Sequence, residues 1–173
     1  MFICKNLPNS ASKTNKGLLS YSKTNLVSMK KDSILVERTF NAPIDKVWRA
    51  LTAHTEMKKW YFNIEKFEPK VGFKFDFMGG SDAGPQYLHL CEITEAKENE
   101  KLAHTWRYDN YPGNSLVCWQ LMDKGEQTLV RLTHTDVHTL AEGGADFAKE
   151  NFIEGWNYIV HTNLKNHLEG KSD

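Results

Sequence analysis

Three histidines, His89, His104 and His134, fall at strand-like positions of this 173-residue chain. They are its best candidates for polar groups converging in an apolar pocket. Two imidazoles within reach of one bound molecule would serve as general acid and base, as a cyclase or dehydratase requires. By alternation His104 shares a face with Trp106, His89 with Cys91, and His134 with Leu132 and Val130. The competing reading for each is an ordinary hydrogen-bonded or exposed strand histidine. His134, Asp136 and His138 straddle a strand end rather than one helical face, a weak match to a metal-ligand set. Glu92, Glu95 and Glu98 fall on a strand end and a charged turn, where a solvated surface accounts for them. No GxSxG, HExxH, P-loop or GxGxxG signature occurs, so hydrolytic, zinc-protease and nucleotide-binding chemistry lack their usual carriers. No cofactor and no metal are called for.

The second chemical resource is aromatic. "FNAPIDKVWRALTAHTEMKKWYF", residues 40 to 62, delivers Trp48, Trp60, Tyr61 and Phe62 directly after a first strand. Aromatic residues make up 12% of the chain against 25% charged, so its apolar surface is concentrated in few, bulky side chains. Trp48, Trp60, Phe75, Trp106, Trp119 and Trp156 come from separate elements and must meet somewhere. Trp and Tyr combine an apolar body with a polar tip, which suits the wall of a site for planar or lipidic ligands. An ordinary core is the alternative. Tyr108 is a further polar handle.

The elements that position these residues are legible. In "ILVERTF", Ile34, Val36 and Phe40 share one face of a strand that Arg38 interrupts. Pro43 suits a first helical position, Asp45 complements the helix dipole, and Ile44, Val47, Trp48 and Leu51 form one apolar stripe. A short helix over residues 55 to 61 follows. "GFKFDFMG" puts Phe73, Phe75 and Phe77 on one face, and Gly79-Gly80 before "SDAGP" reads as a loop at the rim. "QYLHLCEITEA" and "KLAHTWRYD" flank the turn "KENE"; "SLVCWQLMD" and "QTLVRLTHT" flank "KGE", where Gly125 is available for positive φ. Asp146 is placed to cap a final helix from Phe147 to Leu168, with Gly170 past its end. Its expected stripe is Ile153, Trp156, Val160, Leu164 and Leu168, with Gly155 making close packing on the sheet. Strands segregated from helices predict an α+β fold: a bent antiparallel sheet of six or seven strands, two short helices after the first strand, and one long C-terminal helix.

Composition narrows the partners. Lys plus Arg number 22 and Asp plus Glu 22, a balance with no electrostatic footprint for nucleic acid. No apolar run approaches the ~18 residues of a membrane span, so no membrane insertion is expected. Cys4, Cys91 and Cys118 form no CxxC pair, and a reducing, cytoplasmic compartment fits them. Residues 1 to 31 contain no acid and no sustained period, which predicts a disordered tail; Met29 is an alternative start. The expected organisation is that tail, one domain over residues 32 to 170, and a short tail over 171 to 173.

The order of these pieces resembles the START-related, Bet v-like superfamily. The resemblance is carried by Ala42-Pro43 with Val47-Trp48, Lys59-Trp60, the "LTHT" strand, and Gly155-Trp156, and it covers residues 34 to 169. More narrowly, it is similar to the branch named after the activator of the ATPase of the ninety-kilodalton heat-shock chaperone. The resemblance implies a helix-grip fold, with a hydrophobic cavity between a curved sheet and the long helix. It implies a small apolar or aromatic ligand there, walled by Trp48, Trp60, Phe75, His89, His104, Trp106, Trp119, His134, Trp156 and Val160. A void of ~300–1,000 Å³ is the size such a ligand needs. The co-chaperone has a separate N-terminal chaperone-binding domain where this chain has a polar tail, which sets chaperone interaction behind ligand binding. Oxygenase relatives carry a Rieske domain, whose Cys-x-His pairs are missing here.

Removing residues 1 to 28 is expected to leave the thermal midpoint unchanged within about a degree, because surface changes away from packed features cost at most ~0.5 kcal/mol. A large fall in a calorimetric scan would place those residues against the fold.

Overall fold

The computed structural model describes residues 33–80 and 84–170. The expected tails over 1 to 31 and 171 to 173, and Cys4, lie outside the described residues. β1 (Ile34–Phe40) buries Ile34, Val36 and Phe40, with Arg38 half-buried on the same face. Pro43 stands one residue before α1 (Ile44–Thr52) rather than at its first position, because its ψ of 156° is extended. Its carbonyl still opens the helix by accepting from the amides of Lys46 and Val47. Val47, Trp48 and Leu51 are buried as the stripe required, and α2 (His54–Met57) is a single turn that leads into Trp60 and Tyr61.

Five more strands complete one antiparallel sheet: β2 (Lys74–Gly80), β3 (Gln86–Lys97), β4 (Lys101–Tyr108), β5 (Ser115–Asp123) and β6 (Thr128–Thr135). Their spatial order is β1-β6-β5-β4-β3-β2, so β1 and β2 are the two edges of an open, curved sheet. Gly79 and Gly80 close β2, on one edge of the sheet. Between β3 and β4 the pairing slips: Ile93 faces His104 while Glu95 faces Ala103, leaving a bulge at Thr94. A bulge adds local twist and bend, and this one lies beside His104. Gly125 turns the β5–β6 hairpin at φ 79°. Trp119 points inward with Val117 and Leu121, each under 9% exposed.

After β6, a 3₁₀ turn over Val137–Gly143 runs through the expected loop, and a second over Ala145–Phe147 occupies the point where the helix was expected to start. Phe147 is buried against Tyr108 at 4.7 Å and Tyr87 at 4.9 Å between ring centres. Asp146 accepts a hydrogen bond from the Tyr87 hydroxyl instead of capping. The helix proper is α3 (Lys149–Tyr158), a π-helical turn (Ile159–Leu164) and α4 (Lys165–Glu169), closed by Gly170 at φ 59°. Its buried stripe is Phe152, Trp156, Val160, Leu164 and Leu168, and Ile153 is 37% exposed. These five recur every fourth residue, and four α-helical residues turn through about 400°, so the stripe would drift roughly 40° per step. The wider π turn takes up that drift and keeps Leu164 and Leu168 on the sheet side.

Gly155 makes no close packing. A methyl group added there would meet nothing within 4 Å. Gly155→Ala is thus expected to stabilise by up to about 1 kcal/mol, raising the thermal midpoint by roughly 2–4 °C. A fall in the midpoint would mean that the helix packs against something at this position.

Candidate functional site

The side chain that organises the interior is His134, which is fully buried. The Trp156 indole N–H donates to His134 Nδ1 at 3.0 Å. That fixes the tautomer: Nε2 carries the proton and donates to Ser115 Oγ at 2.7 Å, and the Ser115 hydroxyl donates to the Trp106 carbonyl at 2.9 Å. Both ring nitrogens are committed, so His134 holds the helix to the sheet and has no free lone pair for a substrate or metal. Asp136, in the left-handed region at φ 60°, turns the chain away before His138. His104 donates through Nδ1 to the Thr105 carbonyl at 3.0 Å, leaving Nε2 as an acceptor. His89 does the same to the Tyr87 carbonyl at 3.0 Å and stacks on Phe77 at 4.3 Å, which stacks on Phe62 at 4.4 Å. Gly79 makes this stack possible, since a Cβ there would stand 2.9 Å from His89 Cε1 and 3.2 Å from Phe62 Cε1.

Burial holds all three imidazoles neutral. It lowers His89 and His104 to about 4 each and His134 to about 3, His104 adding to the effect on His134. The carboxylates stay outside: Glu92 pairs with Lys74 at 3.9 Å and Glu95 with Lys101 at 2.9 Å, and Glu98 is exposed on its turn.

Between α1, the segment after α2 and the sheet lies a void of about 10 Å³. Trp60, Phe75, His104 and Trp119 line it, together with Tyr61, Met57, Phe67, Leu51 and Leu102. This is room for roughly one water, not the 300–1,000 Å³ that a ligand-sized cavity takes. The rings themselves fill the space: Trp119 stands edge-on to Trp60 at 6.2 Å and to Trp156 at 5.9 Å, and Trp156 lies 5.2 Å from Trp106. Trp48, His89, Trp106, His134, Trp156 and Val160 are buried in the core but are not among the residues lining this void.

Tyr61, grouped with Trp60 in the sequence but not counted among the expected wall residues, joins the lining with Leu51, Met57, Phe67 and Leu102. Its ring is half-buried, yet its hydroxyl oxygen is buried with no hydrogen-bond partner among the described residues. Burial raises that hydroxyl well above its ordinary pKa, with smaller contributions from Cys91 and Tyr108. On the other side of Trp60 and Tyr61 opens a cleft of about 580 Å³, rimmed by Lys59, Asn163, Asn166, His167 and Gly170. Asn163 belongs to the π turn. Glu56 braces this rim, bonded to Lys59 at 2.9 Å and to His167 at 2.9 Å, and Lys59 first of all holds its carboxyl below the ordinary value. Trp60 and Tyr61 thus form a partition between an outer polar cleft and an inner apolar void.

A family model described as Activator of Hsp90 ATPase homolog 1-like protein matches residues 41–169. No curated protein matches the chain. Among solved structures, protein MLL2253 from Mesorhizobium loti is 24% identical over 82% of this chain and 98% of its own, with a TM-score of 0.63. The Aha1 dimer from Colwellia psychrerythraea is 22% identical over 82% of this chain and 98% of its own, with a TM-score of 0.62. DynU16, from the dynemicin biosynthetic locus, is 20% identical over 80% of this chain and 48% of its own, at 0.65. At these identities the likeness is one of fold.

The neutral histidines carry a pH prediction. In the unfolded chain each titrates near 6.5, and in the fold near 4 or 3. Their contribution is whole above pH 6.5 and is lost as pH falls toward 4, at up to ~1.4 kcal/mol per unit for each imidazole. Urea midpoints are expected to fall steeply from pH 6.5 to 4.5. A flat profile across that window would contradict three buried neutral rings.

Proposed function

The chain belongs to the Activator of Hsp90 ATPase homolog 1-like family, and on that premise we propose that it binds an apolar or aromatic small molecule in its interior. The ligand enters from the cleft beside α4 and settles in the void between the sheet, α1 and the segment after α2. The observation that carries this reading is the shared wall: Trp60 and Tyr61 line both the cleft and the void. Opening the void needs displacement of the segment from Lys58 to Phe73, which contains no helix or strand. Segments held by few regular backbone bonds open at the low end of a protein's stability range. The origin of DynU16 in a biosynthetic locus is consistent with small-molecule work. Among the described residues no helix is long and apolar enough to cross a membrane, and we assign the chain to a reducing, cytoplasmic setting in which Cys91 and Cys118 are buried thiols.

The competing roles draw less support. An acid–base enzyme would need a group titrating near its working pH, whereas His104, the imidazole at the void, sits near 4. A chaperone-interaction surface would need a contiguous apolar patch. The exposed apolar residues instead include Leu35 on one edge strand, Met78 on the other and Tyr158 on the helix.

The test is binding of anilinonaphthalene sulfonate to native protein, with one equivalent expected and tryptophan emission quenched. Val160 is fully buried in tight packing, so a bulky residue there would strain the core. Phe67, on the cap side of the void, is the better position. Phe67→Trp is expected to weaken the probe at least about tenfold, on the order of 1.4 kcal/mol, in protein whose circular dichroism is unchanged. Binding indifferent to that substitution would place the probe on the surface and end the interior reading.

A further inference from the structure

The Tyr61 hydroxyl narrows what the interior ligand is. Resting on the binding reading above, we propose that the ligand presents a ring hydroxyl to the Tyr61–His104 side of the void, so that a phenol-type molecule is preferred over its hydrocarbon counterpart. Tyr61 Oη is buried without a partner among the described residues, as are Arg38 Nε, Thr94 Oγ1 and Asn99 Oδ1, and of these four residues Tyr61 is the one that lines the void. An unpaired buried hydroxyl is a cost that a packed core does not need. A phenylalanine would fill the same position without it.

The void's second polar lining residue complements the first. His104 spends its Nδ1 proton on the Thr105 carbonyl, so the ring offers only the Nε2 lone pair. Apart from Tyr61 and the Trp60 and Trp119 indoles, the remaining wall is hydrocarbon or thioether. The Trp60 N–H is already given to the Ala50 carbonyl at 2.9 Å. A hydroxyl both accepts and donates: it accepts from Tyr61 Oη–H and donates to His104 Nε2. An ether or a ketone meets only the first need, and an alkyl group meets neither. A site built to hydrogen-bond a hydroxyl rejects the analogue lacking it, because its own polar groups are then stranded. Tyr61 is therefore a specificity residue.

The experiment compares para-cresol, para-methylanisole and para-xylene, three probes of one shape, by titration calorimetry on the wild type and on Tyr61→Phe, with thermal scans of both proteins free of ligand. The wild type is expected to bind para-cresol about tenfold tighter than para-xylene, with the methyl ether between them. Tyr61→Phe is expected to lose that preference while keeping its affinity for para-xylene, and to melt at or above the wild-type midpoint. A preference for para-cresol that survives Tyr61→Phe, equal binding of cresol and xylene by the wild type, or a lowered midpoint in the variant would each overturn the assignment and leave interior binding standing. Failure of the wild type to bind any of the three would overturn the binding reading itself, and this assignment with it.

Discussion

The link from the Trp156 indole through His134 and Ser115 to the β4 backbone is the constraint on which the interior depends. It joins the C-terminal helix to β4, β5 and β6 through three hydrogen bonds, in surroundings where each is stronger than in water and each missing partner would be costly. Because the indole can only donate, it dictates the protonated nitrogen of His134. That in turn dictates the orientation of the serine hydroxyl. The helix is thereby seated at one distance and one rotation over the sheet, and the rings around Trp156 follow from that seating. Trp106, Trp119 and Phe152 pack on this polar centre rather than on an apolar one.

A helix fixed so firmly leaves the adaptable side of the interior elsewhere. On the sheet side the wall consists of ladder-bonded strands with a bulge at Thr94. On the cap side it consists of α1, one turn of α2 and a coil that delivers Tyr61, Phe62 and Phe67. The division of labour is physical: hydrogen-bonded strands and an anchored helix set the shape, and an aromatic coil with little regular bonding covers it. That coil is also where the core meets solvent, through half-buried Tyr61 and Phe62. The smallness of the void and the presence of the cleft are two aspects of the same closed cover.

Much of this architecture was readable from spacing alone. The period-two runs gave β2 to β6 with their inward faces, and the stripe through Val47, Trp48 and Leu51 gave α1. Alternation put each strand histidine on a face with apolar residues, and all three are buried. It left open which face of β5 turns inward; Trp119 and its neighbour Cys118 are both buried. What spacing failed to give has identifiable causes. The helix stripe recurs every four residues, so an i, i+3, i+4 template drew in Ile153 in place of Phe152, while the π turn that keeps Leu164 and Leu168 inward has no residue signature. Asp146 had the chemistry of a cap, but the Tyr87 hydroxyl claimed it across the fold. The extent of the interior void depends on how closely tryptophan edges interlock, and no periodicity reports that. His134 looked like a pocket group because its partners, Ser115 and Trp156, lie 19 and 22 residues away along the chain.

Gly79 has a consequence for how this sequence can change over time. The space that a β-carbon would need is held by the His89 imidazole, itself pinned by stacking on Phe77 and by its bond to the Tyr87 carbonyl. Neither ring atom in the way belongs to a flexible chain end. A side chain can appear at position 79 only where the ring at position 89 has first shrunk or moved, with Phe62 giving way by a few tenths of an ångström. Position 79 is therefore tied to position 89: the glycine stays for as long as the imidazole does.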